Sequence, residues 1–241
     1  MLELNKIYNM DCLEGMKLID DKSIDMILCD LPYGTTACKW DSIIPLDILW
    51  NQYKRIIKDN GAIVLTSTQP FTTELIHSNL DMFRYEWIWD KKKPTGWLWA
   101  KKQPMRQHEN VLVFYKKQPT YNPQPYIKNT VGYLSDKESK TFVETLGMEK
   151  GRTSNNENSE GYPRSIINCI PVLNNLTKDK AGLHPTQKPI ALFEYLIKTY
   201  TNEGETVLDN CIGSGTTAIA CINTNRNYIG FEIDPDYYEA A

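Results

Sequence analysis

Apolar and polar positions alternate in two blocks of the chain in a way that predicts strands separated by helices. In the first block, apolar runs at residues 23–31 and 61–67 predict buried strands on either side of an amphipathic helix at 46–58. In the second block, a helix from Pro189 to about Tyr200 precedes a strand at 206–209, a helix at 216–223 and a strand at 228–233. Two β-α-β units of this kind predict an α/β fold with a mostly parallel sheet.

The region between the blocks predicts further elements and an insertion. A helix at 71–80 is followed by strands at 85–90 and 111–116, which could pair antiparallel at one edge and make the sheet mixed. From residue 118 to 183 the pattern dissolves into Pro, Asn, Ser, Gly and Tyr. A loop of that length in a compact domain is usually functional. With 241 residues, we predict one domain built from residues 1–117 and 184–241, interrupted by an insertion at 118–183.

Charge is distributed unevenly along the chain. The formal net charge is −3, yet residues 84–117 hold nine basic residues and three acidic ones. This stretch predicts a basic face that binds a polyanion, although a solvated lysine-rich edge is the simpler alternative. Trp87 and Trp89 alternate like one face of a strand and are expected in the core, whereas Trp97 and Trp99 are expected on the surface. The candidate nucleic-acid contacts are Lys91, Lys92, Lys93, Trp97, Trp99, Lys101, Lys102 and Arg106.

Cysteine spacing and hydropathy bear on metal binding, disulfide bonds and the cellular compartment. The six cysteines form no C-x-x-C pair, so neither a metal site nor a disulfide framework is expected. The amino terminus lacks a basic region followed by an apolar core, and no apolar run approaches the length of a membrane span. We therefore expect a cytoplasmic protein with no membrane partner.

A glycine loop lies between the strand at 206–209 and the helix at 216–223. Gly213 and Gly215 fit the general pattern of a nucleotide-binding turn, with Ser214 and Thr216 in the same loop. Asp209 directly precedes the loop, where it would repel a pyrophosphate but attract a cationic ligand. Glu232 follows Gly213 by nineteen residues, a spacing suited to ribose hydroxyls. These residues favour S-adenosylmethionine, and a dinucleotide or a plain turn remain alternatives.

A second candidate site follows the strand at 23–31. Asp30 is expected at the mouth of the sheet, and Pro32 stiffens the backbone so that the carbonyl of Leu31 can point outward. A carboxylate and a carbonyl can together accept both N–H bonds of an exocyclic amine, while Tyr33 stacks on its ring. An Asx turn with a tyrosine lid is the structural alternative.

Together these motifs resemble those of the DNA amino methyltransferases. The resemblance rests on Asp30-Leu31-Pro32-Tyr33, on the later Asp-x-x-x-Gly-x-Gly loop, and on the segments HENVLVF at 108–114 and HPTQKP at 184–189. With the catalytic motif first and the cofactor loop last, the order is similar to that of their permuted β group. The resemblance implies a Rossmann-like, circularly permuted fold that uses S-adenosylmethionine. One departure is Leu31, where the family most often has proline.

The resemblance also implies roles for individual residues. The catalytic residues would be Asp30, Leu31, Pro32 and Tyr33; Asp11 would lie near the adenine of the cofactor, and Thr186 and Lys188 near its methionine carboxylate. The insertion at 118–183 would be the target-recognition region. Its candidate base-reading side chains are Arg152, Asn155, Asn156 and Arg164.

The expected function is site-specific methylation of double-stranded DNA on the exocyclic amine of a flipped base. Asp30 favours N6 of adenine, since Asp at this position leans toward adenine in the family, and N4 of cytosine is the alternative. RNA or a protein glutamine could also offer a planar amine, so each is an alternative substrate. Two other hypotheses are that the protein is an inactive DNA-binding relative or a NAD-dependent oxidoreductase. A homodimer and a partner restriction endonuclease are compatible with the sequence.

Overall fold

The computed structural model describes residues 2–34, 42–124, 126–127, 160–167 and 188–241. It divides into two compact units, the larger comprising Met1–Asn122 with Arg164–Ala241 and the smaller Pro123–Pro163. The described part of the smaller unit contains an antiparallel pair of short strands, β6 (Tyr126–Ile127) and β7 (Glu160–Gly161). The candidate site lies in the larger unit.

An eight-stranded sheet forms the centre of the larger unit, with the order β1-β10-β9-β2-β3-β5-β4-β8. Neighbouring strands from β1 to β3 in that order are parallel, whereas β5 is antiparallel to both β3 and β4. The strands are β1 (Lys6–Asn9), β2 (Ile24–Cys29), β3 (Ile57–Ser67), β4 (Phe83–Thr95), β5 (Arg106–Phe114), β8 (Ile166–Ile167), β9 (Thr206–Asp209) and β10 (Asn227–Glu232). The predicted mixed, mostly parallel sheet is confirmed.

Helices cover the two faces of this sheet, which explains why its central strands are continuous apolar runs. One hydrophobic cluster combines sheet residues with buried residues of α1, α2 and α3, and a second combines them with α4 and α5. The helices are α1 (Cys12–Lys17), α2 (Leu46–Ile56), α3 (Phe71–Ser78), α4 (Ile190–Tyr200), α5 (Thr216–Asn223) and α6 (Pro235–Ala240). None of the helices in the part of the chain that the structure describes has the length and apolar character of a membrane span.

Trp87 and Trp89 belong to the second cluster, as their alternation predicts. Both are nearly fully buried, and the indole Nε1–H of Trp87 donates a 2.7 Å hydrogen bond to the hydroxyl of Tyr200 on α4. A buried indole N–H needs such an acceptor, because leaving it unpaired costs free energy. This contact fixes α4 against the antiparallel edge of the sheet.

The predicted helices and strands are observed, but several of their boundaries differ, and the structure contains elements that were not predicted. The antiparallel hairpin is longer than expected, since β4 and β5 continue to Thr95 and from Arg106 beyond the core. Strand β1 and helix α1 were not predicted, because β1 is only four residues long and lacks an apolar run. Strand β8 lies within the predicted insertion and pairs with β4 at the sheet edge.

Candidate active site

The two motifs that lie far apart in the sequence meet at one edge of the sheet. Strands β2 and β9 are parallel neighbours, with Ile27 opposite Leu208. The chain continues from β2 to β3 on one side and from β9 to β10 on the other, so the direction of strand order reverses between β2 and β9. A crevice at such a reversal is where open α/β sheets bind ligands. Asp30 follows β2 and Asp209 ends β9, so both carboxylates lie at this edge.

Three side chains from separate segments hold the carboxylate of Asp30. The Tyr33 hydroxyl donates to Oδ1 at 2.6 Å, and the Thr66 hydroxyl at the end of β3 donates to the same oxygen. The ammonium of Lys188 donates to Oδ2 at 2.7 Å. The carboxylate is therefore held in one orientation, with 26% of its side chain exposed. Asp30 is the point at which these segments meet.

Tyr33 is held between its hydrogen bonds and an aromatic neighbour. Its ring stacks on Phe71, the first residue of α3, with 5.4 Å between ring centroids. Burial raises the pKa of the Tyr33 hydroxyl well above its ordinary value, and the charge of Asp30 adds to the effect. The neutral phenol is therefore a permanent hydrogen-bond donor to Asp30, and the ring is rigidly placed for stacking.

Lys188 is the buried cation of the site. Its Nζ lies 3.2 Å from Oε2 of Glu109 on β5 as well as 2.7 Å from Asp30, and only 7% of the side chain is exposed. Burial alone lowers the pKa of this lysine, but the charges of Asp30 and Glu109 outweigh burial and raise it. Lys188 is thus a charged ammonium between two carboxylates.

The glycine loop is organised by Asp209. Its carboxylate accepts a 3.0 Å hydrogen bond from the backbone N–H of Cys211 and a second bond from the hydroxyl of Thr217 on α5. Burial raises the pKa of Asp209 to about 7. The structure shows this residue bracing the loop, and its contact with a cofactor stays a prediction.

Glu232 holds the other side of the same loop. Its carboxylate accepts hydrogen bonds from the backbone N–H groups of Gly213 at 2.9 Å and Asp234 at 2.8 Å, and burial raises its pKa. Asp234 in turn caps α6, since its side chain accepts from the backbone N–H groups of Asp236 and Tyr237. Gly213 (φ +54°) and Gly215 (φ +82°) adopt left-handed backbone conformations that glycine allows. A Cβ at Gly213 would meet no described atom within 4 Å, so the loop backbone faces open space there.

This arrangement fits a nucleoside cofactor. No atom of the described residues fills the space beside Gly213, so a ligand can approach the backbone closely there. The nearby carboxylates of Asp209 and Glu232 would repel a pyrophosphate, and their preference for a cationic group and for hydroxyls stays a prediction. Ser214 is half-buried in the loop, and Thr216 begins α5. Asp11, predicted near the adenine, caps α1 by accepting from the backbone N–H groups of Leu13 and Glu14.

Comparison with known proteins agrees with this geometry. A family model described as DNA methylase, of the N6/N4 type, matches residues 24–241. The chain belongs to this family. The methylase therefore uses S-adenosylmethionine as its cofactor.

Individual relatives cover nearly the whole methylase. Type II methyltransferase M1.MboII of Moraxella bovis is 30% identical over 263 residues, covering 100% of this chain and 96% of that protein. Type II methyltransferase M.BglII of Bacillus subtilis is 30% identical over 267 residues, covering 99% and 68%. The crystal structure of the M1.HpyAVI–SAM complex superposes with a TM-score of 0.65 at 25% identity, covering 98% of this chain and 96% of that one. The cytosine-N4-specific PvuII DNA methyltransferase, at 16% identity and a TM-score of 0.62, shares the fold.

The tip of the β4–β5 hairpin carries an exposed basic and aromatic surface, here called the hairpin patch: Lys92, Lys93, Trp97, Trp99, Lys101, Lys102 and Arg106. Trp97 is 73% exposed and Trp99 55%, and the ammonium of Lys102 lies 5.2 Å from the centroid of the Trp99 ring. Lys91 was predicted with this group, but it points inward and pairs with Glu109 at 3.0 Å, so it supports the site instead.

Other predicted residues of the methylase lie elsewhere. Arg164 is exposed in the segment before β8. Thr186, Arg152, Asn155 and Asn156 lie outside the described residues, so their roles stay predictions.

The structure adds three residues that sequence reasoning missed. Thr66, the next-to-last residue of β3, donates a hydrogen bond to Asp30. Phe71 supports the Tyr33 ring, and Glu109 pairs with Lys188. Thr66 carried a detectable signal, because it is a polar residue at the carboxyl end of a buried strand next to β2. The roles of Phe71 and Glu109 depend on contacts between distant segments and had no local signal.

Proposed function

We propose that this methylase transfers a methyl group from S-adenosylmethionine to the exocyclic amine of a flipped base in double-stranded DNA, with N6 of adenine as the target. The observation that carries the proposal is the adjacency of Asp30 and the glycine loop on neighbouring strands β2 and β9. It brings an amine-binding carboxylate beside a nucleoside-binding loop. Family membership supports the same reaction.

The residues of the site position the amine. Asp30 and the backbone carbonyl of Leu31 would each accept one N–H bond, so that the nitrogen lone pair is directed away from the ring and toward the cofactor loop. Tyr33 would stack on the base, with its ring supported by Phe71. When bound, S-adenosylmethionine supplies the electrophilic methyl group. The carboxylate of Asp30 would accept the proton that the amine loses, with S-adenosylhomocysteine as the leaving group.

The cofactor would be held by the glycine loop and its carboxylates, at Asp209, Gly213, Ser214, Gly215, Thr216 and Glu232. Asp11, Thr186 and Lys188 complete the proposed set, as the family resemblance implies. Lys188 donates a hydrogen bond to Asp30, so it would connect the proposed cofactor site with the proposed catalytic carboxylate.

DNA binding would use the hairpin patch together with the insertion. A base within a duplex cannot present its amine to the site, so the methylase must flip it and grip the flanking backbone. Exposed lysines and tryptophans on one hairpin supply phosphate contacts and stacking surfaces. Arg152 and Arg164 would contact the target from the insertion predicted at 118–183.

Adenine is the preferred target because Asp30 occupies the first position of the catalytic motif, where the family leans toward adenine. Cytosine N4 is the second candidate, since a cytosine-N4-specific enzyme shares the fold. An RNA or a protein glutamine is disfavoured by the permuted motif order. The names of the relatives as Type II methyltransferases support a cytoplasmic restriction–modification role with a partner endonuclease.

Exchange of Asp30 for Ala tests the catalytic assignment. We expect methyl transfer to duplex DNA to fall at least about a hundredfold, because the main acceptor of the amine is removed. Binding of S-adenosylhomocysteine, followed by thermal shift, is expected to persist. NAD in place of S-adenosylhomocysteine serves as the negative control. Activity that survives in Asp30→Ala would refute the mechanism.

A further inference from the structure

Four charged side chains form a largely buried row behind the site. Lys91 on β4 pairs with Glu109 on β5, Glu109 pairs with Lys188 before α4, and Lys188 pairs with Asp30 after β2. Each side chain is at most about a quarter exposed, and the row contains two cations and two anions. The mechanism above uses Asp30 directly and gives no role to Glu109.

Lys188 contacts both groups that the target base needs. Its ammonium donates to Oδ2 of Asp30 at 2.7 Å and also lies 5.6 Å from the centroid of the Tyr33 ring. Oδ1 of Asp30 already accepts from Tyr33 and Thr66. The amine of a target base would therefore bind at Oδ2 and share it with Lys188, and movement of the ammonium away from Asp30 would leave Oδ2 to the amine alone.

Glu109 offers the ammonium a second acceptor within reach. Its Oε1 is occupied by Lys91 at 3.0 Å. Its Oε2 is buried and accepts no hydrogen bond from any residue that the structure describes, although Nζ of Lys188 lies only 3.2 Å away. The contact has ion-pair distance without hydrogen-bond geometry. A small rotation of the lysine tip would complete that bond as the bond to Asp30 breaks.

A second carboxylate matters because Lys188 is buried. A buried ammonium without an anionic partner is strongly destabilised, so Lys188 can leave Asp30 only toward another anion. Besides the methionine carboxylate that the proposed function brings near Lys188, Glu109 is the anion within reach among the described residues. With Glu109 beside it, the ammonium keeps an anion at every stage of the exchange.

We propose that Glu109 is a positioning residue for methyl transfer, which receives the ammonium of Lys188 and so frees Oδ2 of Asp30 for the target amine. The inference rests on the proposed function, because it assigns Oδ2 to the amine. It predicts that loss of Glu109 slows the reaction by leaving Lys188 on Asp30, and that removing the ammonium relieves the effect.

Glu109→Gln, Glu109→Asp and the double variant Glu109→Gln/Lys188→Met test this prediction in single-turnover methylation at saturating DNA and S-adenosylmethionine. We expect Glu109→Gln to be at least tenfold slower than the wild type, and Glu109→Asp to lie between them. The double variant is expected to be at least threefold faster than Glu109→Gln. A double variant as slow as Glu109→Gln, or a Glu109→Gln rate within threefold of the wild type, would overturn the proposal.

Two further measurements distinguish loss of the proposed Lys188 exchange from misfolding of a variant and from failure of the proposed function. Circular dichroism confirms that each variant is folded. S-adenosylhomocysteine binding is a second check for the two Glu109 single variants only, because Lys188 belongs to the proposed cofactor-binding set. The ¹⁵N resonance of the Lys188 ammonium reports its pairing without catalysis, and we expect Asp30→Asn and Glu109→Gln each to shift it. If neither variant shifts this resonance, the proposed movement of the Lys188 ammonium from Asp30 to Glu109 is refuted, even if the enzyme is active. Failure of the wild type to methylate DNA would instead count against the proposed function.

Discussion

At the scale of single residues, two aspartates at adjacent strand ends have opposite environments. Asp30 is partly exposed and accepts hydrogen bonds from a phenol, a hydroxyl and an ammonium. Asp209 is 2% exposed and accepts bonds from its own loop and from Thr217. Burial therefore raises the pKa of Asp209, whereas Asp30 forms an ion pair with Lys188.

The environment of Asp209 predicts how stability depends on pH. The pKa of Asp209 is about 7 in the folded protein, above its ordinary value of 3.8, so the folded state binds this proton more tightly than the unfolded state. The contribution to stability is present at low pH and is lost as pH rises through about 7. The asparagine of the Asp209→Asn variant is neutral at every pH, so this variant does not lose that stability as the pH rises.

Urea unfolding of both proteins at two pH values measures the effect. The free energy of unfolding of Asp209→Asn relative to the wild type is expected to increase by about 2 kcal/mol between about pH 5.5 and about pH 8. Other titrating groups are common to both proteins and cancel in the comparison. A difference that is the same at both pH values would contradict the account.

At the scale of elements, the strands and helices that border the site follow from the sequence. Continuous apolar runs predicted β2, β3 and β9 because parallel strands are buried on both faces, and their polar ends marked Asp30 and Asp209. Strand β1 was missed because it is short and its residues are at least partly exposed. The Lys188–Glu109 pair could not be predicted, because it joins side chains whose proximity only the fold creates.

The glycine loop permits a matched test of its role in cofactor binding. Gly213 and Gly204 both have positive φ, and a Cβ at either would meet no described atom within 4 Å. Alanine at either position is expected to cost about 1–2 kcal/mol of stability through backbone strain. Only Gly213→Ala is expected to weaken S-adenosylmethionine binding, by at least about tenfold, when both are titrated calorimetrically. Equal binding by the two variants would exclude a close approach at Gly213.

The β4–β5 hairpin predicts salt-dependent DNA binding. Lys101→Ala/Lys102→Ala is expected to weaken binding of duplex DNA and to reduce the slope of log K against log salt by about 1 for each phosphate that is no longer neutralised. Lys54→Ala is the control, because Lys54 is exposed in the last turn of α2, just before β3 begins, and so lies at the opposite edge of the sheet. Fluorescence anisotropy at several salt concentrations measures both. Equal slopes for the double variant and the wild type would show that Lys101 and Lys102 of the hairpin patch do not contact the DNA phosphates.

At the scale of the whole molecule, the order of the strands in the sheet differs from their order along the chain. This difference brings the two sequence motifs to the same edge of the sheet. The catalytic motif comes early and the cofactor loop late, yet β2 and β9 are neighbours in the sheet. The hairpin between them along the chain carries the basic patch of a protein whose formal net charge is −3. One sheet thus brings together the carboxylate proposed to bind the amine, the loop proposed to bind the cofactor, and an exposed basic surface.

Identification of the methylated base tests this account most directly. Duplex DNA is incubated with S-adenosylmethionine and either the wild type or Asp30→Ala, then digested, and N6-methyladenine and N4-methylcytosine are quantified by mass spectrometry. We expect N6-methyladenine from the wild type and neither product from the variant. N4-methylcytosine alone would contradict the assignment to adenine. Equal product from both proteins would contradict the central role of Asp30.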